Sequence, residues 1–398
     1  MADKYISYSQ KTNGYTFANI GFFYGFGGSI LSSVYSLILL DIFKDPAIVG
    51  LYSAAFAVIA MLFSMFSSEI FRLLPKAKIL PGACVAIIVS VFMMAFQPSA
   101  GSFIVLDVIR ECAWALFVTS LTLFMTDFAV GKNVEKVFGR YYVLNNIGSI
   151  VAPIIALRMA SYFGNARATL MLVSLVFMCA LLYYKNYRVT AEDKRARVAP
   201  PKKTLAKVFG NLFAYLSNRE LVKAYIVMFV YYAIRALRSL YVPIAVLSAG
   251  FSKDTLGLVL AIGTIPFALL AVPANRVAMR AGPSRLLMLG YITYAAFAFI
   301  ASVSSGMMLL GLFAIWQISN AISEPIKELP FYNTANKSEQ LRFVGIFGTA
   351  KYLASVLSPL LGAGVIMLTG SVGCVWILAG AIGLGGAWVA SSIKVKKS

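Results

Sequence analysis

The chain has 398 residues, 60% of them hydrophobic and 13% charged, with a formal net charge of +20. A soluble core stops growing near ~250–300 residues, and the apolar runs here repeat end to end, each near the ~20 residues that cross a bilayer; both facts exclude an ordinary soluble domain. Histidine is absent, and Cys84, Cys112, Cys179 and Cys374 lie scattered in apolar runs without C-x-x-C spacing, which leaves no basis for a disulfide framework, a metal site or another cofactor.

In chain order, apolar spans are expected at about 16–40, 48–72, 80–98, 103–127, 138–162, 166–186, 220–247, 254–280, 285–303, 306–333, 341–367 and 371–393. The polar start and the length of the first span predict no cleaved leader. Twelve spans place both termini on one side. Most Lys and Arg outside the spans fall on that side, which the positive-inside rule makes cytoplasmic. The basic charge is thus a topology signal and not a nucleic-acid footprint.

The loop after the second span reads "SSEIFRLLPKAK" and carries Arg72 and Lys76. The fourth span holds Asp107, Arg110 and Glu111. The fifth reads "GRYYVLNNIGSIVAPIIA", with Asn145, Asn146, Gly148 and Pro153. The segment Lys185–Gly210 is polar, basic and contains Pro200–Pro201, so it reads as a cytoplasmic linker. It divides the chain into a first bundle, residues 1–186, a linker, 187–219, and a second bundle, 220–398. The seventh span contains "FVYYAIRALRS", with Tyr231, Tyr232, Arg235 and Arg238. The tenth holds Gln317, Asn320, Glu324, Pro325, Lys327 and Glu328, and the eleventh holds Lys351.

The two bundles repeat. "FKDPAIVGLYSA" at Phe43–Ala54 resembles "FSKDTLGLVLA" at Phe251–Ala261, and "NIGSIVAPIIA" resembles "LASVLSPLLGA" with Pro153 on Pro359. The loops at Arg72 and Arg280 keep the same register. Two parallel six-helix halves are a known transporter plan.

On these residues the chain resembles the major facilitator superfamily. Gly139, Gly148 and Ala152–Pro153 are similar to the antiporter motif of the family's fifth helix, with alanine or leucine at several of its glycine places. Leu106 and Arg110 match part of the fourth-helix pattern, where Trp114 replaces a glycine. The resemblance implies an all-α membrane protein of twelve transmembrane helices, in two pseudo-symmetric six-helix bundles around a central cavity. It also implies a functional monomer without cofactor in the plasma (inner) membrane.

The resemblance further implies that helices one, four, seven and ten line the cavity. An arginine facing lipid at mid-membrane costs at least ~2.5–3.5 kcal/mol, so Arg235 and Arg238 are expected to face water, a partner or substrate. Asp107–Arg110–Glu111 and Glu324–Lys327–Glu328 both read acid-x-x-base-acid, which puts each triplet on one helical face. The second triplet lies eleven places nearer the cytoplasm in repeat register, roughly 16 Å along a helix. Burial raises a carboxylate's pKa and a nearby guanidinium lowers it, so a carboxylate moving between those settings loads and releases a proton. Glu111 and Glu324 are favoured as proton carriers over Asp107 and Glu328, because they fall nearer mid-membrane. Gln317, Asn320, Asn146, Tyr231, Tyr24, Arg110, Arg235 and Arg238 are candidates for substrate contact. Gly148, Pro153, Arg72, Lys351 and Pro325 are candidates for packing or gating, with Pro325 expected to bend helix ten.

Three readings follow. The first is a proton-coupled antiporter exporting small amphipathic organic compounds. The second is an organic-anion carrier using Arg235 and Arg238, since guanidinium binds carboxylate and phosphate in a fork. The third, a membrane enzyme or scaffold, lacks a nucleophile–base set or metal cluster.

Overall fold

The computed structural model describes residues 14–96, 99–128, 134–186 and 205–393. These form helices and no strand: α1 (Gly14–Phe43), α2 (Pro46–Leu73), α3 (Lys76–Phe96), α4 (Ala100–Phe128), α5 (Val134–Tyr162) and, after a short 3-10 turn, α6 (Thr169–Asn186). Then come α7 (Leu205–Ser217), α8 (Arg219–Ser248), α9 (Lys253–Ala281) and α10 (Pro283–Val303). The chain continues through α11 (Gly306–Ile315), α12 (Gln317–Ser323), α13 (Leu329–Thr334), α14 (Lys337–Thr369) and α15 (Cys374–Ser391).

Nine stretches among the described residues are long and apolar enough to cross a membrane. Helices α4, α8 and α9 are of comparable length, and α4 and α8 carry the charged residues noted above. The protein is therefore a multi-pass, all-α membrane protein. The helices also repeat: the starts of α1, α2, α3, α4 and α6 recur at α8, α9, α10, α11 and α15, displaced by 205 to 207 residues.

Helix ends follow local chemistry. Asn218 caps α8 by accepting from the Glu220 and Leu221 amides at 3.1 and 3.3 Å. Asn336 and Glu339 form a reciprocal capping box at α14, which satisfies two amides that the first turn leaves unpaired. Gly370 closes α14 in the left-handed region at φ 68°, where a residue without Cβ is unstrained.

By contacts the chain forms two units, one of residues up to Tyr35 with Ile59–Pro201, the other of Ser36–Val58 with Lys202–Ser398. Among the described residues of the expected first bundle, Ser36–Val58 groups with the second unit. The reason is a close approach: Gly50 on α2 lies against the Tyr241 hydroxyl of α8 and the Pro359 carbonyl and Ala363 of α14. The segment 187–204 of the expected linker lies outside the described residues. Residues 205–217, read as linker, are the helix α7. Its residues Leu205, Val208, Leu212 and Tyr215 recur at helical spacing, and Tyr215 packs with Phe331, Phe343 and Phe347.

In the first unit, Phe17 stacks on Phe124 at 4.5 Å, and the Cys84 thiol and Ser174 hydroxyl tie α3 to α6 through main-chain carbonyls. In the second, α10 packs on α15 where Gly383 sits against Ala295 and the Tyr291 carbonyl. Small residues at such crossings let backbones approach, which is how helices associate in lipid. Leu182, Val143, Leu269 and Trp388 stay exposed, as residues facing lipid do.

Candidate functional site

The charged residues gather in two clusters, one in each unit. In the first, Asp107 on α4 is fully buried. One of its oxygens accepts from Arg110 Nε at 2.7 Å and the other from the Tyr35 hydroxyl of α1 at 2.5 Å. Arg110 Nη2 reaches Glu111 at 3.1 Å, and the Arg110 guanidinium lies 5.4 Å from the Tyr35 ring centroid. The acid-x-x-base-acid pattern thus works as read, on a continuous helix. Asp107 has both oxygens engaged and is locked, whereas Glu111 keeps 29% of its side chain exposed.

The second cluster departs from expectation. Glu324–Lys327–Glu328 does not share one helical face, because α12 ends at Ser323 and residues 324–328 form a turn before α13. Pro325 has no amide hydrogen and cannot continue the ladder; the turn is carried instead by Ile326 N bonding the Ser323 carbonyl at 3.2 Å and Leu329 N the Ile326 carbonyl at 3.1 Å. A second interruption at Trp316 separates α11 from α12, so the expected tenth span is three short helices.

The turn lets Lys327 fold back into the bundle. Its ammonium is 3.0 Å from Glu324 Oε1, 3.0 Å from the Glu324 carbonyl and 3.9 Å from Glu328. It also sits 5.1 Å from the Tyr231 ring centroid and 5.9 Å from that of Tyr232, a cation–π arrangement that favours a desolvated ammonium. Arg235 Nη1 faces Glu324 Oε2 at 3.8 Å, the two side chains being 55% and 35% exposed. That oxygen accepts no hydrogen bond and is itself buried. One oxygen of Glu324 is therefore held by Lys327, and the other has no hydrogen-bond partner among the described residues.

The two arginines of α8 differ. Arg235 is exposed, while Arg238 is half-buried with an Nε atom sealed from solvent. Lys351 on α14 sits over the rings of Tyr232 and Tyr352 at 5.9 and 5.8 Å. Gln317 and Asn320 are buried and bond each other, Asn320 Nδ2 donating to Gln317 Oε1 at 3.1 Å. Of the candidate residues on α8, the turn and α14, four are bases, Arg235, Arg238, Lys327 and Lys351, and two are acids, Glu324 and Glu328.

The remaining candidates spread over the first unit. Tyr24 lies in an aromatic group with Trp114, Phe117 and Tyr141. Asn146 is half-buried on α5. Gly148 presses on the α1 backbone, where an added Cβ would stand 2.7 Å from the Phe26 nitrogen. Pro153 is buried within α5. The Arg72 side chain lies outside the described residues. Sequence reasoning missed the bond from Tyr35 to Asp107, because hydrophobic periodicity says nothing of which tyrosine meets which acid. It also passed over Tyr294 and Trp316, since nothing in their spacing marks them. Among the described residues no group of His, Cys, Asp and Glu is placed to hold a metal.

The family model of the Major Facilitator Superfamily matches residues 17–244 and 224–397. A curated relative, the staphylopine export protein of Staphylococcus aureus (strain Mu50 / ATCC 700699), is 22% identical over 214 residues, 54% of this chain and 53% of that protein. The chain thus spans about half the length of the curated relative it matches. Among solved structures, the nucleoside transporter NupG aligns with a TM-score of 0.74 at 13% identity, covering 96% of this chain and 98% of that one. A D-xylose–proton symporter aligns at 0.73 and 14%, covering 96% and 97%. A peptide transporter POT in complex with sulfate aligns at 0.71 and 12%, covering 96% and 94%.

Proposed function

The chain belongs to the Major Facilitator Superfamily, matched along both halves, and as such a membrane transporter and not an enzyme we propose that it is a proton-coupled antiporter exporting small amphipathic organic compounds. In this reading it sits in the plasma membrane as a monomer, with both termini cytoplasmic. The observation that carries the proton coupling is Glu324: Lys327 holds Oε1, while Oε2 is buried without a hydrogen-bond partner opposite Arg235. A carboxylate so placed gains or loses its proton as its ion pairs open and close. The sense of transport follows the export role that the staphylococcal relative's name gives it.

The test is transport in proteoliposomes with an imposed pH gradient, run over a panel of cationic, neutral and anionic amphiphiles. Wild type is expected to accumulate its substrate in response to the gradient. Glu324→Gln is expected to lose that response while still equilibrating substrate. Gradient-driven accumulation surviving in Glu324→Gln would remove this residue from the proton path.

A second reading, an organic-anion carrier, rests on the excess of bases over acids around Arg235 and Arg238. Here Arg235→Ala abolishes protection of the protein by an anionic compound, and Arg235→Lys restores it poorly because an ammonium lacks the bidentate fork. A panel in which only cations protect the protein would remove this reading.

A further inference from the structure

Three fully buried tyrosines of the C-terminal unit, Tyr215, Tyr241 and Tyr291, donate their hydroxyls to the main-chain carbonyls of Leu221, Pro359 and Val227 at 2.9, 3.2 and 2.7 Å. Tyr294 breaks the pattern. It is 1% exposed, yet its hydroxyl has no hydrogen-bond partner. Trp316, fully buried, stands edge-on to it with ring centroids 4.7 Å apart. Its indole N–H approaches the Tyr294 hydroxyl without closing a hydrogen bond. Arg238 comes close enough to interact electrostatically with Tyr294, and its sealed Nε is also unpartnered.

These atoms share a chemistry. Arginine Nε–H and indole N–H only donate, and a tyrosine hydroxyl can donate. Buried polar groups are almost always paired, so these three unpaired atoms, two of them on touching rings, call for an explanation. The charge sharpens the case: Arg238 forms no ion pair among the described residues, and the formal charge acting on it is that of Arg235, of the same sign. Even a half-buried charge is unfavourable without a counter-charge, to the extent that it is taken out of water. A water molecule would satisfy the N–H groups and leave the guanidinium uncompensated, whereas an anion does both.

We propose that Arg238, Tyr294 and Trp316 form a small-anion subsite inside the C-terminal bundle. It takes either the carboxylate of a transported solute or a free inorganic anion such as chloride. Arg238 is only half-buried, so the anion enters along its guanidinium. The subsite rests on the transporter assignment and is independent of whether Glu324 carries protons.

The experiment is thermal unfolding of the full-length protein in lipid nanodiscs, in a zwitterionic buffer without added salt, titrated with sodium chloride, sodium benzoate or neutral benzamide. Wild type is expected to show a saturable rise in unfolding temperature with one or both anions and none with benzamide. A response to benzoate alone identifies a solute carboxylate; a response to chloride identifies an inorganic anion. Arg238→Gln loses the saturable response, and Arg285→Gln, at an exposed position of α10, retains it. Tyr294→Phe deletes one hydroxyl and weakens the apparent affinity about tenfold, the effect of one hydrogen bond to a charged group. An Arg238→Gln response equal to that of wild type overturns the subsite, as does a wild type that responds to neither anion. Should Arg238→Gln fail to fold, unchanged affinity in Tyr294→Phe overturns it equally.

Discussion

Asp107 and Glu324 look alike in sequence, each opening an acid-x-x-base-acid pattern, yet their surroundings give them different work. Asp107 accepts from Arg110 and Tyr35 with no exposure, so its charge is committed. Removing it leaves Arg110 with only the partly exposed Glu111 as counter-charge, and breaking a buried pair from one side costs about 3–5 kcal/mol. Asp107→Asn should therefore lower the unfolding temperature in detergent far more than Glu111→Gln, whose carboxylate is partly solvated. Tyr35→Phe should fall between, near the ~1.5–3 kcal/mol of a hydrogen bond to a charged group. Equal losses for Asp107→Asn and Glu111→Gln would show that burial does not separate the two acids. Both substitutions are read by stability alone, which keeps them distinct from the transport assay on Glu324.

At the scale of elements, two short stretches decide local shape. Pro325 ends α12, and the turn it imposes brings Lys327 onto Tyr231 and Glu324 together. Pro325→Ala restores the missing amide and lets the helix run on, which rotates Lys327 away from Tyr231. The expected outcome is reduced transport turnover with substrate affinity changed by less than about twofold, the pattern of a moving element and not of a contact. Unchanged turnover would make the proline a passive stop. Gly148 is the second case. An added side chain meets the α1 backbone at the Phe22 carbonyl and Phe26 nitrogen, and backbone cannot step aside as a flexible side chain does. Gly148→Val should destabilise the first unit by about 1–3 kcal/mol or more, as overpacking does, whereas Gly364→Val, with open space around its Cβ, should be tolerated. Comparable unfolding temperatures for the two variants would contradict the close α1–α5 approach.

For the whole molecule, the prediction concerns orientation. The basic segment around Lys185–Gly210 and both termini are expected on the cytoplasmic face, by the positive-inside bias. Single cysteines introduced there, in a background with Cys84, Cys112, Cys179 and Cys374 replaced, should resist a membrane-impermeant thiol reagent in intact cells and react after lysis. Labelling from outside would reverse the orientation or change the number of crossings.

The sequence by itself determined the membrane class, the run of spans and the internal repeat. These depend on hydrophobicity summed over twenty or so residues and on a register that recurs along the chain, and both are properties of one dimension. The interruption at Pro325 was also legible, since a proline lacks its amide wherever it stands. Only the tertiary structure decided that Glu324–Glu328 is a turn and not a helical face, that Tyr35 holds Asp107, and that Ser36–Val58 packs with the second unit. The same holds for Tyr294 meeting Trp316. Apart from the turn, each of these is a contact between residues far apart in sequence. Such contacts depend on which helix faces which neighbour, and in lipid that is settled by close packing of small residues and by pairing of buried polar groups, neither of which periodicity encodes.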